Sequence, residues 1–424
     1  MTVFSNNVYG LGSTAVVTPR VGAYDFLVTN PVLPPEFTFT RASQATFTDR
    51  LGRIQIAPNN MPRFDWDPIT GAARGLLVEG ARTNFVRNSE AQGGGVGVLP
   101  TNWFVNTSGG LTVTSVGNFV VNGLNVHRIQ LSGTTTSTSA SIRFETTTST
   151  VAASGQTWTG SLYTRQFSGS QTNITSIDSE IQERDAAGAF LTSSAAGFAV
   201  GTLLVRGSHT RLLNNASTAR ITNSIRLNFS GVGVTVDITL DVAAPQLEQA
   251  AFASSYIPTT GTTATRAAER VEFTPLSNMR YNILQGTVFV EGEYPQQTPA
   301  GTLFAFSNNS ITNLIGVRRA AGTPANVLYE VISGGVSQNN MNFVGIPTGV
   351  RRAAVSWDST GFAGAITGVV LQTNTTPGTI PSVDRVHLGM RHNGASSDHL
   401  FGYIRRFAYT PNRLPDSFLT TMTT

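Results

Sequence analysis

The chain has 424 residues, of which 40% are apolar and only 12% charged, with 42 glycines, no cysteine and a net charge of +4. All 28 basic residues are arginine, so a Walker-type phosphate loop, a protein-kinase ATP lysine and Schiff-base catalysis are excluded. The lack of cysteine excludes disulfides, thiolate zinc and a cysteine nucleophile.

A length of 424 residues predicts two or three compact units. A surface of Thr, Ser and Asn in place of Glu, Lys and Ala suits strands and turns, so the fold class is all-β. Residues 1–36 form an extended N-terminal arm, because Pro34-Pro35 can neither continue a helix nor sit in a central strand. Residues 37–90 are a turn-rich β segment, with turns at Asp49–Gly52, Asn59-Asn60, Asp67-Pro68 and Thr70-Gly71 and short strands such as Glu36–Arg41 and Arg53–Ala57 between them. Residues 91–260 read as short strands at sandwich spacing. Val234, Val236, Ile238, Leu240 and Val242 alternate with Thr and Asp, which puts one strand face in a core and the other in water. Residues 261–424 give a second run of strands, including Thr287–Tyr294, Leu314–Arg318, Ala353–Asp358 and Phe401–Tyr409, and a short helix is predicted over Leu414–Met422.

Candidate sites are sparse. Arg41, Arg63, Arg82 and Arg266 stand near Asp49, Asp65, Glu79 and Glu269 in surroundings poor in charge, and are expected to form structural Arg–carboxylate pins. Trp158 and Trp357 lie on apolar strand faces and belong to cores. Trp66, between two aspartates, reads as a turn residue. Trp103, in a loop-like stretch, is the candidate aromatic for stacking on a sugar. The densest acid cluster is Asp178, Glu180, Glu183 and Asp185. Without a sign of burial it reads as the solvated face of an exposed hairpin and not as a glycosidase pair. His392, Asp398 and His399 match no zinc spacing, and no Gly-x-Ser-x-Gly elbow occurs. The chain is expected not to be an enzyme. Scattered arginines and the low net charge exclude nucleic acid as a partner, and no apolar run reaches the ~20 residues of a membrane helix. The first basic residue is Arg20, unlike the start of a signal peptide; assembly in the cytoplasm is expected.

Four phrases are more specific. They are Phe39–Ser43 with Ala45-Thr46, Asp49 and Gly52; Asn60 with Pro62–Asp65; Gly75–Asn84 with Ser89-Glu90; and Pro245–Glu248 followed by Ser254–Thr259 and Thr265–Ala268. In this order they resemble the phage head-spike-fibre type of virion protein, and the same blocks occur in phage tail fibres. The stretch between the last two phrases is similar to a carbohydrate-binding-module jelly roll, and the part after Arg266 to a concanavalin A-like sandwich.

The resemblance implies a virion structural protein held to capsid, neck or tail proteins by residues 1–36, a homo-oligomer and by analogy a trimer. It also implies a candidate structural calcium site at Glu90 and Asp241, with no other cofactor. Three readings follow in order of support: a structural spike or fibre subunit, a receptor-binding lectin that recognises host surface glycan, and a polysaccharide depolymerase.

Overall fold

The computed structural model describes residues 23–27, 32–295, 300–320, 325–392 and 399–424. The all-β expectation holds: the described residues form thirty strands, one 3-10 turn and one helix, Asp416–Thr423. Among them no helix is long and apolar enough to cross a membrane.

The chain divides into two compact units. One comprises Arg53–Ile56 and Arg82–Arg266; the other comprises Ala57–Ala81, Ala267–Thr424 and the described residues up to Gly52. These limits differ from the expected ones. Residues 37–81 are not a segment of their own, because Phe37–Thr40 joins one sheet of the C-terminal sandwich while Arg63–Trp66 and Ala73–Val78 join the other. Strands of four to six residues cannot build a core alone, so they extend sheets that already have one. Arg82–Asn84 pairs antiparallel with Ala264–Arg266, so the middle unit is an insertion whose two ends lie side by side.

In the C-terminal sandwich the eight-stranded sheet runs Val369–Asn374, Gly361–Ile366, Gly349–Asp358, Gly286–Tyr294, Gly402–Thr410, Ala73–Val78 and Arg63–Trp66. Ala23–Asp25 pairs with Gly402–Thr410. The described part of the expected arm is therefore a strand of this sandwich, with Phe26 buried; residues 1–22 and 28–31 lie outside the described residues. The seven-stranded sheet runs Phe37–Thr40, Arg270–Phe273, Arg385–Leu388, Gly301–Ser307, Leu314–Arg319, Val327–Ser333 and Val336–Phe343. Phe304, Phe306, Tyr329, Trp357 and Phe407 fill the space between the sheets. Trp66 is buried there as well, on a strand and not in a turn.

The inserted unit is a second sandwich. Its five-stranded sheet runs Val205–Leu212, Thr157–Gly169, Thr235–Glu248, Leu124–Thr134 and Thr112–Val121. Its other sheet runs Phe190–Gly197, Ile174–Arg184, Arg220–Phe229, Ser139–Arg143 and Phe104–Thr107, with Thr150–Val151 beside Arg220–Phe229. Trp158, Leu162, Ile177, Ile181, Ile225, Ile238 and Leu240 make its core. The two-residue turn Asn122-Gly123 has positive φ at both positions (49° and 77°); an Asn-Gly pair adopts this geometry readily and sets the hairpin register.

Of the residues expected as pins, Arg41, Arg63, Glu79 and Glu269 join in buried Arg–carboxylate pairs, with partners far apart in sequence, whereas Asp49, Asp65, Arg82 and Arg266 are held in other ways. Glu269 is fully buried and accepts from Arg41 Nη1 at 2.8 Å, from Arg63 Nε and Nη2 at 2.7 Å each, and from the Glu79 amide at 2.9 Å. Arg63 Nη2 also reaches Glu79 at 2.8 Å. Asp65 accepts from Tyr403 Oη and the Thr48 amide, Asp49 accepts from the Leu51 amide, Arg82 lies over the Phe252 ring and Arg266 donates to Ser254 and Ser255. Charges removed from water must meet their complement wherever the fold brings it, so sequence neighbours were a poor guide to pairing. Burial lowers the Arg63 pKa, but Glu269 and then Glu79 outweigh it and hold the group above its ordinary range.

Replacing Glu269 by alanine leaves two buried guanidiniums without their shared partner. Urea denaturation should show a loss of about 3–5 kcal/mol in the transition of the C-terminal sandwich.

Candidate functional site

The six-stranded sheet of the inserted unit has one apolar and one polar face. Along Ile174–Arg184, Ile177 and Ile181 enter the core while Asp178, Glu180, Gln182 and Arg184 occupy the other side. Arg220–Phe229 repeats the pattern, with Ile221, Ile225 and Leu227 inward and Thr222, Ser224, Arg226 and Asn228 outward. Cross-strand register sets Asp178 opposite Arg226, Glu180 opposite Ser224 and Gln182 opposite Thr222. Ser139 and Ser141 lie opposite Asn228 and Arg226 on the next strand.

This face forms a cavity of about 320 Å³ lined in part by Asn106, Ser141, Glu180, Gln182, Arg184 and Phe190. Its floor is tied by side-chain bonds. Glu180 accepts from Ser224 at 2.7 Å, Gln182 at 2.9 Å and Arg226 at 3.4 Å, and Asp178 accepts from Asn228 at 2.6 Å. Two buried atoms here have no hydrogen-bond partner, Asp178 Oδ1 and Arg226 Nε. Phe190 and Phe104, on the two edge strands, are 57% and 38% exposed. At ~4.8 Å between strands, the four intervals from edge to edge give a floor roughly 19 Å wide. The arrangement offers fixed donors and acceptors between two aromatic edges, which suits a polyhydroxylated ligand lying across the strands.

The acid cluster is thus not an exposed hairpin face. Asp178 and Glu180 are 7% and 3% exposed, because a wide sheet with long polar neighbours shields its central strands. Glu183 turns away to Arg211 and Thr218, and Asp185 closes the turn at Ala187 and Ala189. Asp178 and Glu180 rise from one strand of one floor, so they do not flank a bound sugar from two sides as a glycosidase pair does.

The other expected site residues lie elsewhere. Trp103 is only 3% exposed, donates to the Asn88 carbonyl at 2.9 Å and packs on Phe144 and His127; it has no free face for a sugar. Both Asp241 oxygens are taken by Arg128 and Arg165, and Glu90 accepts from Asn125 and Tyr256. Two guanidiniums at Asp241 repel a cation, so the expected calcium pair is not assembled. Among the described residues no group of three or more His, Asp or Glu could hold a metal. His399 Nε2 lies 3.0 Å from the Glu269 carbonyl, and Asp398 lies outside the described residues.

One trio resembles a nucleophilic triad. Ser115 Oγ is 2.7 Å from His127 Nε2, and His127 Nδ1 is 2.6 Å from Asn118 Oδ1. Asn118 donates its amide to the Ala91 and Gly94 carbonyls, so its oxygen faces the ring and His127 carries its proton on Nδ1. Ser115 Oγ, however, also sits 2.6 and 2.8 Å from the carbonyls of Gly95 and Val98. A serine hydroxyl has one proton to donate, and these carbonyls compete with His127 for it, which suits a structural bond and not an activated nucleophile. Burial lowers the His127 pKa to about 4, which leaves a weak base at neutral pH. The trio ties the glycine-rich loop of residues 93–97 to the sheet.

The sequence signal for the groove was the kind of polar residue at alternate positions. Thr and Ser on the wet face of a strand are ordinary; Asp, Glu, Gln, Arg and Asn on two neighbouring strands mark a face built to hydrogen-bond.

No protein-family model matches the chain, and no curated protein does. Among solved structures, a carbohydrate-binding module (CBM40) of the Ruminococcus gnavus IT-sialidase bound to alpha2,3 sialyllactose shares 17% identity over 34% of this chain and 84% of its own, with a TM-score of 0.30. The CBM22 tandem of Paenibacillus barcinonensis Xyn10C shares 10% over 79% and 98%, with a TM-score of 0.26. The mouse laminin alpha1 domains LG4-5 share 11% over 61% and 84%, at 0.25.

Because the folded-state pKa of His127 is depressed, its contribution to stability is complete above the unfolded value near 6.5 and is lost as pH falls through about 4. NMR titration should place the His127 midpoint near pH 4, and His127→Gln should flatten the decline of the urea midpoint between pH 6.5 and 4.

Proposed function

We propose that the chain is a non-catalytic subunit of a phage spike or fibre whose inserted sandwich binds an oligosaccharide across its six-stranded sheet. The observation that carries the binding part is the polar floor between Phe104 and Phe190. Sugars offer hydroxyls to fixed hydrogen-bonding groups and apolar ring faces to aromatics, and this face presents both. Ordering is already supplied: Glu180 and Asp178 are held by Ser224, Gln182, Arg226 and Asn228, so little conformational freedom is lost on binding.

The virion part rests on the four phrases. Three of their residues, Arg41, Arg63 and Glu79, meet Glu269, which directly follows the last phrase, in the buried charge network of the C-terminal sandwich. On this reading the ligand is a host surface glycan, the particle partner is reached through residues 1–36, and the subunit is a trimer. Light scattering that gives a monomer at every concentration overturns the trimer.

On a glycan array of host envelope saccharides, the full chain should bind a restricted set. Phe190→Ala, at an exposed position, should weaken that binding about tenfold without shifting the melting temperature, whereas Trp103→Phe should leave the contacts to ligand unchanged. A silent array, or binding indifferent to Phe190→Ala, overturns the assignment of the groove.

A further inference from the structure

Two cations at the Asn106 end of the groove, Arg184 in its lining and Arg143 bonded to Asn106 beside it, are matched differently from their neighbours. Arg143 donates from Nε to the Glu145 carbonyl at 2.6 Å and from Nη1 to Asn106 Oδ1 at 2.8 Å. Arg184, 6% exposed, donates to the Gly188 carbonyl at 3.0 Å, to Thr222 Oγ1 at 3.3 Å, to Gln182 Oε1, and to the same Asn106 Oδ1 at 3.5 Å. Every one of these acceptors is neutral. The nearby carboxylates are committed elsewhere: Glu145 takes the fork of Arg87 and Glu180 pairs with Arg226. Two guanidiniums therefore converge on one amide oxygen, a weak partner for a single cation and an inadequate one for two.

We propose that the groove selects acidic saccharides, seating a sugar carboxylate against Arg143 and Arg184 at the Asn106 end of the floor. This rests on the reading of the groove as a saccharide site and adds the ligand class. Arg143, Arg184 and Arg226 outnumber Asp178 and Glu180 on this face, so an incoming anion meets a net positive floor. A carboxylate has two oxygens in the plane that a guanidinium fork fits, and it supplies the negative charge that Asn106 lacks. Phe104, whose ring centre lies 5.2 Å from the Arg143 Cζ, stands beside this end to pack on a pyranose face. The pKa values point the same way. Burial and then the proximity of Arg184 lower that of Arg143, and burial lowers that of Arg184 although Glu180 partly offsets it, so an added anion would favour both charges.

The test uses the full chain on an array in which uronate- and sialate-bearing glycans are each printed beside their methyl-ester forms, with sulfated and neutral glycans alongside; hits are then measured by calorimetry. Binding should concentrate in the carboxylated members and fall about tenfold or more on esterification, the worth of one charge-assisted hydrogen bond. Arg143→Gln should abolish the preference of acid over ester and leave the ester affinity within twofold, and Arg143→Lys should restore part of it. The acid affinity should drop as salt rises from 50 to 500 mM while the ester affinity does not. Hits that are neutral, or that bind equally well as esters, overturn the acidic preference and leave the saccharide groove standing. Hits confined to sulfated glycans overturn the carboxylate assignment. An array silent throughout overturns the groove itself, and the preference with it.

Discussion

The carboxylate of Glu269 is the constraint on which the C-terminal sandwich turns. It has no exposure to water and is met by two guanidiniums and one backbone amide. Arg41 in turn spends its other donors on the carbonyls of Ser43, Ala57, Pro58 and Met61, and Arg63 reaches Thr46 and Glu79. Each buried charge is tolerable only while all the others are in place. Segments around positions 41, 63, 79 and 269 must therefore meet together, and positions 79 and 269 bracket the inserted unit. The chain can leave the sandwich for some 185 residues, from Arg82 to Arg266, and return because both ends of the excursion are fixed to one electrostatic knot. An apolar cluster would hold comparable stability, but it would accept neighbours indifferently.

The same chemistry organises the inserted unit in smaller pieces. Asp241 holds Arg128 and Arg165, Glu183 holds Arg211, and Glu145 holds Arg87. A chain without lysine can do this more readily than most, since the guanidinium is planar, keeps its charge on burial and binds carboxylates and ring faces with equal ease. Arg128 shows both modes at once, paired with Asp241 and lying 4.1 and 3.2 Å from the ring centres of Phe119 and Phe167.

The sequence disclosed what depends on local alternation. The strand Thr235–Glu248 follows from Val236, Ile238, Leu240 and Val242, and the terminal helix from its Pro415-Asp416 start. It disclosed that particular arginines and acids are buried pins, because charges in a low-charge sequence are seldom idle. It could not disclose pairing, since Arg41 and Glu269 are separated by 228 positions. The limits of the units were hidden for the same reason: Phe37–Thr40 and Arg63–Trp66 read as a separate segment until their sheets are known. The groove was missed through an assumption about burial. Asp178 and Glu180 alternate as a solvated strand does, and only the width of the finished sheet shows that their neighbours enclose them.

The two sheets of the inserted unit present different polar faces. On the polar face of the five-stranded sheet, Asp241 is neutralised by Arg128 and Arg165, and the exposed rings of Phe119 and Phe167 are occupied by the guanidinium between them. Beside them Arg206 donates to Ser161 and to the Ser254 carbonyl while its Nε has no partner. On the six-stranded sheet, Arg143 and Arg184 end on neutral oxygens and Asp178 Oδ1 and Arg226 Nε on none. Each buried polar atom left unmatched costs about 1–3 kcal/mol, and these two stand among others in the protein, Tyr294 Oη and Trp357 Nε1 included. What sets the six-stranded face apart is its shape: a cavity of about 320 Å³ that Arg184 lines while ending on neutral oxygens, with the exposed ring of Phe190 at its edge.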